Sequence, residues 1–105
     1  MRIIVLFNLL PGTDVTAYET WARTTDLPVV RALPSIDDFQ VYRTTGLLIG
    51  EGKAPYAYIE VLDVGDMDGF GKDAASDAVQ KVAAEFGQFA DNPLFITTEA
   101  LTESV

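Results

Sequence analysis

The stretch Arg2-Ile3-Ile4-Val5-Leu6-Phe7-Asn8-Leu9 carries five consecutive apolar residues, Ile3 to Phe7. A β-strand turns successive side chains to opposite faces, so this strand is apolar on both. The rest of the chain supplies roughly two helices, enough to cover one face of a small sheet. The other face needs its own cover, and a second copy of the same sheet supplies it most directly. A homodimer built sheet against sheet is therefore expected.

Working outward, Pro11-Gly12 ends this strand. Thr13 or Asp14 caps a helix in which Val15, Tyr18, Trp21 and Ala22 share one face. A pause is expected around Thr24-Thr25, with Asp26-Leu27-Pro28 as a second helix start and Pro34 as its stop. Phe39 to Thr45 reads as a second strand, 46–55 as a glycine-rich loop and Tyr56 to Val64 as a third strand. A short helical turn over Asp66 to Lys72 precedes a longer helix capped by Ser76, with the stripe Val79, Val82, Ala83, Phe86, Phe89 and Ala90. Asn92-Pro93 is expected to end that helix, leaving Leu94 to Thr98 as strand four and a polar tail.

The order is βαββαβ, which predicts an α+β, ferredoxin-like domain over 1–105 with a four-stranded antiparallel sheet. Right-handed crossovers place both helices on one face. This pattern resembles the dimeric α/β-barrel superfamily, which implies a homodimeric α/β barrel with the helices outside. Alternation on strands two and three assigns Tyr42, Tyr58, Glu60 and Leu62 to the dimer side, opposite Val41 and Ile59.

With 7 basic and 16 acidic residues the net charge is −9, which repels phosphate backbones and anionic membrane surfaces. Nucleic acid and membrane are thus not expected as partners. The chain has neither Cys nor His. Disulfides, thiol chemistry and Ser-His-Asp or Cys-His catalysis are excluded, and any acid–base work falls to Asp, Glu, Tyr or Lys. A transition-metal site would have to be built from carboxylates alone, so neither metal nor organic cofactor is expected. No secretory leader or membrane-spanning run is visible, which predicts a cytoplasmic protein. The loop Gly46-Leu-Leu-Ile-Gly-Glu-Gly-Lys53 does not make a phosphate loop, because the spacing is broken and Ala54 stands where a Ser or Thr is required.

Several polar residues interrupt the apolar stripes. Asp26, beside Trp21 and Leu27, reads either as a proton shuttle with a raised pKa or as the cap of the turn begun by Leu27-Pro28. Tyr18 and Trp21 share a helix face and would either stack on a planar ligand or fill ordinary core. Asn8 would orient a carbonyl or a water if it points into the helix–sheet cleft. Arg23, Arg31 and Arg43 would suit an anionic group or pair with the many acidic side chains, and Arg43 shares the face of Phe39 and Val41.

The segment Trp21-Ala-Arg-Thr-Thr-Asp-Leu-Pro-Val-Val-Arg-Ala-Leu-Pro-Ser-Ile36 resembles the RedY-like (HapK) family of the dimeric α/β-barrel superfamily. The opening Met-Arg-Ile-Ile-Val-Leu-Phe-Asn and the late Phe-Ala-Asp-Asn-Pro-Leu-Phe-Ile fit the same group. The segment is also similar to EthD-like proteins, which carry His-x-Pro where this chain has Asp26-Leu27-Pro28. That departure removes the basis for histidine-dependent chemistry, haem chemistry included. The resemblance implies prodigiosin-type secondary metabolism on a planar pyrrole- or indole-type ligand. A cofactor-independent enzyme of cyclisation, dehydration, hydration or tautomerisation is the reading that follows. Asp26 would be its acid–base group, Tyr18 and Asn8 hydrogen-bond donors, Trp21 a stacking platform, and Arg43 with Arg23 the anchor for an anionic group. The alternative is a non-catalytic carrier or chaperone serving another enzyme of the pathway.

Overall fold

The computed structural model describes residues 1–102; the end of the polar tail lies outside the described residues. Strand β1 (Arg2–Leu9) leads into α1 (Val15–Trp21), a π-helical turn at Ala22–Asp26, and α2 (Leu27–Arg31). Then follow β2 (Ile36–Arg43), β3 (Tyr58–Val64), α3 (Met67–Ala74), α4 (Asp77–Gly87) and β4 (Ala90–Thr97). The sheet is antiparallel with strand order β2-β3-β1-β4. This is the ferredoxin-like α+β arrangement that the element order predicts, with β1 and β3 in the centre.

The first helical stretch is continuous, not paused. Asp14 starts it, its Oδ1 accepting from the N–H groups of Thr16 at 2.9 Å and Ala17 at 3.4 Å. At Thr24-Thr25 the backbone widens instead of breaking, and the Leu27 N–H reaches the carbonyl of Ala22, five residues back. The wide turn sits directly before Pro28, whose ring crowds the preceding turn and which has no N–H to donate. Asp26 remains helical and makes no capping bond with its side chain. Later, Ser76 caps α4 as expected, its Oγ accepting from the Val79 N–H at 3.4 Å.

Register fixes which faces are covered. Ile3, Val5 and Phe7 lie opposite Leu62, Glu60 and Tyr58, and Phe39, Val41 and Arg43 lie opposite the same three residues from the other side. This face packs under the helices, where Val5, Phe7, Tyr18 and Phe39 are completely enclosed. Phe7 anchors an aromatic cluster, with ring centroids 5.8 Å from Tyr18, 5.4 Å from Tyr58 and 4.9 Å from Phe86. Tyr58, Glu60 and Leu62 thus belong to the helix side, not the dimer side. Strand three is apolar on both faces, so its alternation alone carries no parity. Tyr42 does lie on the open face, opposite Ile59, along with Ile4, Leu6, Val61, Leu94 and Ile96.

The last helix and strand also shift from expectation. Helix α4 ends at Gly87, and Asn92-Pro93 lies inside β4. Asn92 takes a left-handed φ of 43° beside a register shift between Leu6 and Asn8. A bulge on an edge strand tolerates both an Asn in that conformation and a proline with no N–H. No described helix is long and apolar enough to cross a membrane.

Candidate active site

The continuous helix and β3 bring two carboxylic side chains together beneath the helices. Asp26 ends the π-helical turn and is 4% exposed; Glu60, central in β3, is 6% exposed. The two side chains hydrogen-bond to each other. Asp26 Oδ2 and Glu60 Oε2 are enclosed, with no partner outside the pair among the described residues. Two anions in such a place would be severely destabilised, and the pair answers by keeping a proton. Burial pushes Asp26 up to about 6, while the bond from Glu60 acts in the opposite sense. Glu60 is raised well above the ordinary carboxyl range by burial, by the Asp26 charge and by donating to Asp26. At neutral pH Glu60 is therefore the proton donor and Asp26 the acceptor.

Both groups line an apolar cavity of about 290 Å³. Its floor is the sheet, through Ile3, Val5, Phe39 and Leu62; its roof is α3 and α4, through Phe70, Val79, Val82, Ala83 and Phe86. Phe95 and Thr97 of β4 complete the wall, and Phe95 is exposed at the sheet edge. Helix α4 buries only Val82 fully, so it stands off the sheet and leaves this space.

Tyr18 adds a third group. It is fully buried in α1, and its hydroxyl has no partner. Burial, followed by the charges of Glu60 and Asp26, raises its pKa above the ordinary phenol range, so it is a neutral donor. Trp21 sits in the aromatic cluster between α1 and α4, its Nε1 donating to Glu85 Oε2 at 3.3 Å.

Asn8, Arg23 and Arg43 are placed elsewhere. Asn8 is exposed and ties β1 to the start of β3: its Nδ2 donates to the Pro55 carbonyl at 3.2 Å and its Oδ1 accepts from the Ala57 N–H at 2.8 Å. Arg43 Nη1 donates to both oxygens of Glu19, at 3.0 and 3.1 Å, and Arg23 reaches the same carboxylate at 3.4 Å. The Tyr58 hydroxyl donates to Glu19 at 2.7 Å. That bond and the two guanidiniums hold the Glu19 carboxyl below its usual range, while burial and the Glu19 bond push Tyr58 up to about 12. Asn8 and Arg43 meet in a larger, open recess of about 580 Å³ with Lys53, away from the buried pair. Arg31 donates to the Phe39 carbonyl at 2.9 Å. Among the described residues no cluster of three or more Asp or Glu has metal-holding geometry.

Glu60 is the site residue that sequence reasoning assigned to the wrong face. Its signal was present: a carboxylate set between Ile59 and Val61 in the middle of the strand. Only the pairing with β1 shows that it points at Asp26.

The family model of the REDY-like protein HapK matches residues 1–101. The chain belongs to this HapK family. The solved structure of HapK from Hahella chejuensis has a TM-score of 0.72 at 24% identity, covering 100% of this chain and 99% of that one. At3g17210 from Arabidopsis thaliana reaches 0.80 at 14% identity, with 99% and 98% covered. A dimeric ferredoxin-like protein of unknown function from Thermobifida fusca gives 0.71 at 19% identity, over 90% of this chain and 85% of that one. At such identities these neighbours establish the fold. Among curated proteins none matches.

Proposed function

We propose that this HapK-family chain is a cytoplasmic, cofactor-independent enzyme of prodigiosin-like secondary metabolism that moves protons on a planar pyrrole- or indole-type intermediate. The observation that carries this reading is the buried, proton-sharing pair Asp26–Glu60 among the residues that line an apolar cavity. Replacing such a pair by apolar residues of similar size is commonly neutral or stabilising, so stability gives little reason to keep it. Paired carboxyls held in different protonation states suit general acid–base work.

In this reading the Asp26 carboxylate takes a proton from a carbon or nitrogen of the ligand. The Glu60 carboxyl gives one to a second atom, and the pair ends with the number of protons it began with. Cyclisation, dehydration, hydration and tautomerisation all fit that balance. The Tyr18 hydroxyl, which has no protein partner, is the neutral hydrogen-bond donor of this reading. Trp21 shapes the aromatic wall behind it, while Arg43, Arg23 and Asn8 hold the surrounding strands and helix rather than the ligand.

The working form we propose is a homodimer. Tyr42, Leu94 and Ile96 are exposed on the open sheet face beside the half-buried Ile4, Leu6, Ile59 and Val61, an apolar patch that needs a cover. The Thermobifida fusca neighbour and another from Bacteroides fragilis are dimeric, which supports a second copy as that cover.

Extract from a deletion strain that accumulates the intermediate tests the enzymatic reading. Purified protein at a thousandth of the intermediate's amount should clear it completely. Clearance that stops at one equivalent of protein identifies a carrier instead.

A further inference from the structure

The basic residues that the sequence offers to an anion lie outside the Asp26–Glu60 cavity, and they gather in a place of their own. Arg43 and Lys53 line the open recess of about 580 Å³ at the end of the sheet where β1 finishes, and none of its lining residues is Asp or Glu. The chain as a whole carries 16 acidic residues against 7 basic ones, so an acid-free hollow with two cations runs against its composition. Arg43, Thr45 and Tyr58 also border a second hollow of about 300 Å³, which brings in Arg23 and Glu19. Three cations there stand against one carboxylate.

Glu19 does not use up Arg43. Both bonds between them run through Nη1, at 3.0 and 3.1 Å. The Nε and Nη2 groups of Arg43 have no partner among the described residues, and the side chain is 61% exposed. Lys53 makes no ion pair among the described residues. Leu9, Val15 and Ala57 set an apolar wall beside these donors. The volume is in the range that holds a small organic molecule.

We propose that this recess binds a small organic oxyanion, a carboxylate or phosphate group on an apolar body. Arg43 and Lys53 take the charge, and Leu9 and Val15 take the body. A guanidinium presents its donors in a planar fork that suits either oxyanion, and Lys53 adds a point charge from the loop. The net charge of −9 opposes any anion at long range, but salt screens that field beyond about 8 Å at physiological ionic strength, which leaves the local cations in control. The site stands apart from the acid–base reading, since its lining shares no residue with the Asp26–Glu60 cavity.

Three probes of one shape test this at pH 7: 2-naphthoate, 2-naphthyl phosphate and the neutral 2-naphthamide. Each is titrated into the intact chain labelled with nitrogen-15, and the amide signals are followed by NMR. At least one of the two anions should bind on the order of tenfold tighter than the amide, because charge-assisted bonds are the stronger kind. The tighter of the two names the oxyanion. The signals that move should be those of Gly46, Gly52, Lys53 and Ala57. Lys53→Gln, in an exposed loop where folding is not at stake, should weaken binding about threefold. Arg43→Gln should weaken it on the order of tenfold.

Naphthamide binding as tightly as both anions overturns the proposal, and so does failure of both anions to bind. Anion affinity unchanged in both variants overturns it as well. So do shifts confined to Val30, Phe70 and Val82, which would place the probe in the buried cavity instead.

Discussion

The buried carboxyl pair makes folding stability depend on pH in a direction opposite to that of ordinary acidic residues. Asp26 binds its proton more tightly in the folded chain, at about 6, than at the unfolded value of 3.8. The folded state therefore holds more protons than the unfolded state above 3.8, and stability falls as pH rises through 6. The full effect of Asp26 is about 3 kcal/mol, of which roughly half is lost between pH 5 and pH 8. Glu60, raised further, adds to the loss with the same sign. Glu19 and Asp63 are held below their usual range, so their contribution is complete before this window opens. Urea unfolding at pH 5, 6, 7 and 8, followed by Trp21 fluorescence at one protomer concentration, reads the slope. Wild type should lose about 1–2 kcal/mol more than Asp26→Asn/Glu60→Gln across this range. Parallel curves for the two proteins would refute the shared buried proton. Asp26→Asn alone should be more stable than wild type at pH 8, since it removes the buried anion and leaves Glu60 a partner.

Three further outcomes follow from the packing. Tyr18→Phe should leave stability unchanged or slightly higher, because the lost hydroxyl has no partner, while lowering turnover on the order of tenfold; denaturation and rate measurements on one preparation check both halves. Ile59→Asp, on the open face, should abolish the proposed dimer and leave a folded monomer in light scattering, whereas Leu62→Asp, under the helices, should unfold the chain as seen by circular dichroism. Phe7→Ala should cost about 3–5 kcal/mol in chemical denaturation, since it empties the centre of the aromatic cluster.

Much of the fold is legible in the chain because it is written locally. The apolar run at Ile3 to Phe7, the caps at Asp14 and Ser76 and the α4 stripe each need only neighbouring residues to be read. Asp26 stands out for the same reason, a carboxylate on a helix face with Tyr18, Ala22 and Val30. What the chain conceals depends on distant pairing. Strand β3 is apolar on both faces, so the direction of Glu60 is fixed only by its place opposite Val5. The widened turn before Pro28 mimics a helix start, since Asp-Leu-Pro satisfies the same local preferences as a cap. The early start of β4 at Ala90 depends on the bulge at Asn92, which forms only against Leu6 and Asn8.

The catalytic role proposed for the pair is tested most directly in the cell. A deletion strain complemented with wild type, Asp26→Asn or Glu60→Gln is profiled by mass spectrometry for the accumulated intermediate and its product. Wild type should clear the intermediate, and both variants, folded and expressed to the same level, should leave it in place. Full clearance by either variant would contradict an acid–base role for that residue and with it the account of this cavity as an active site.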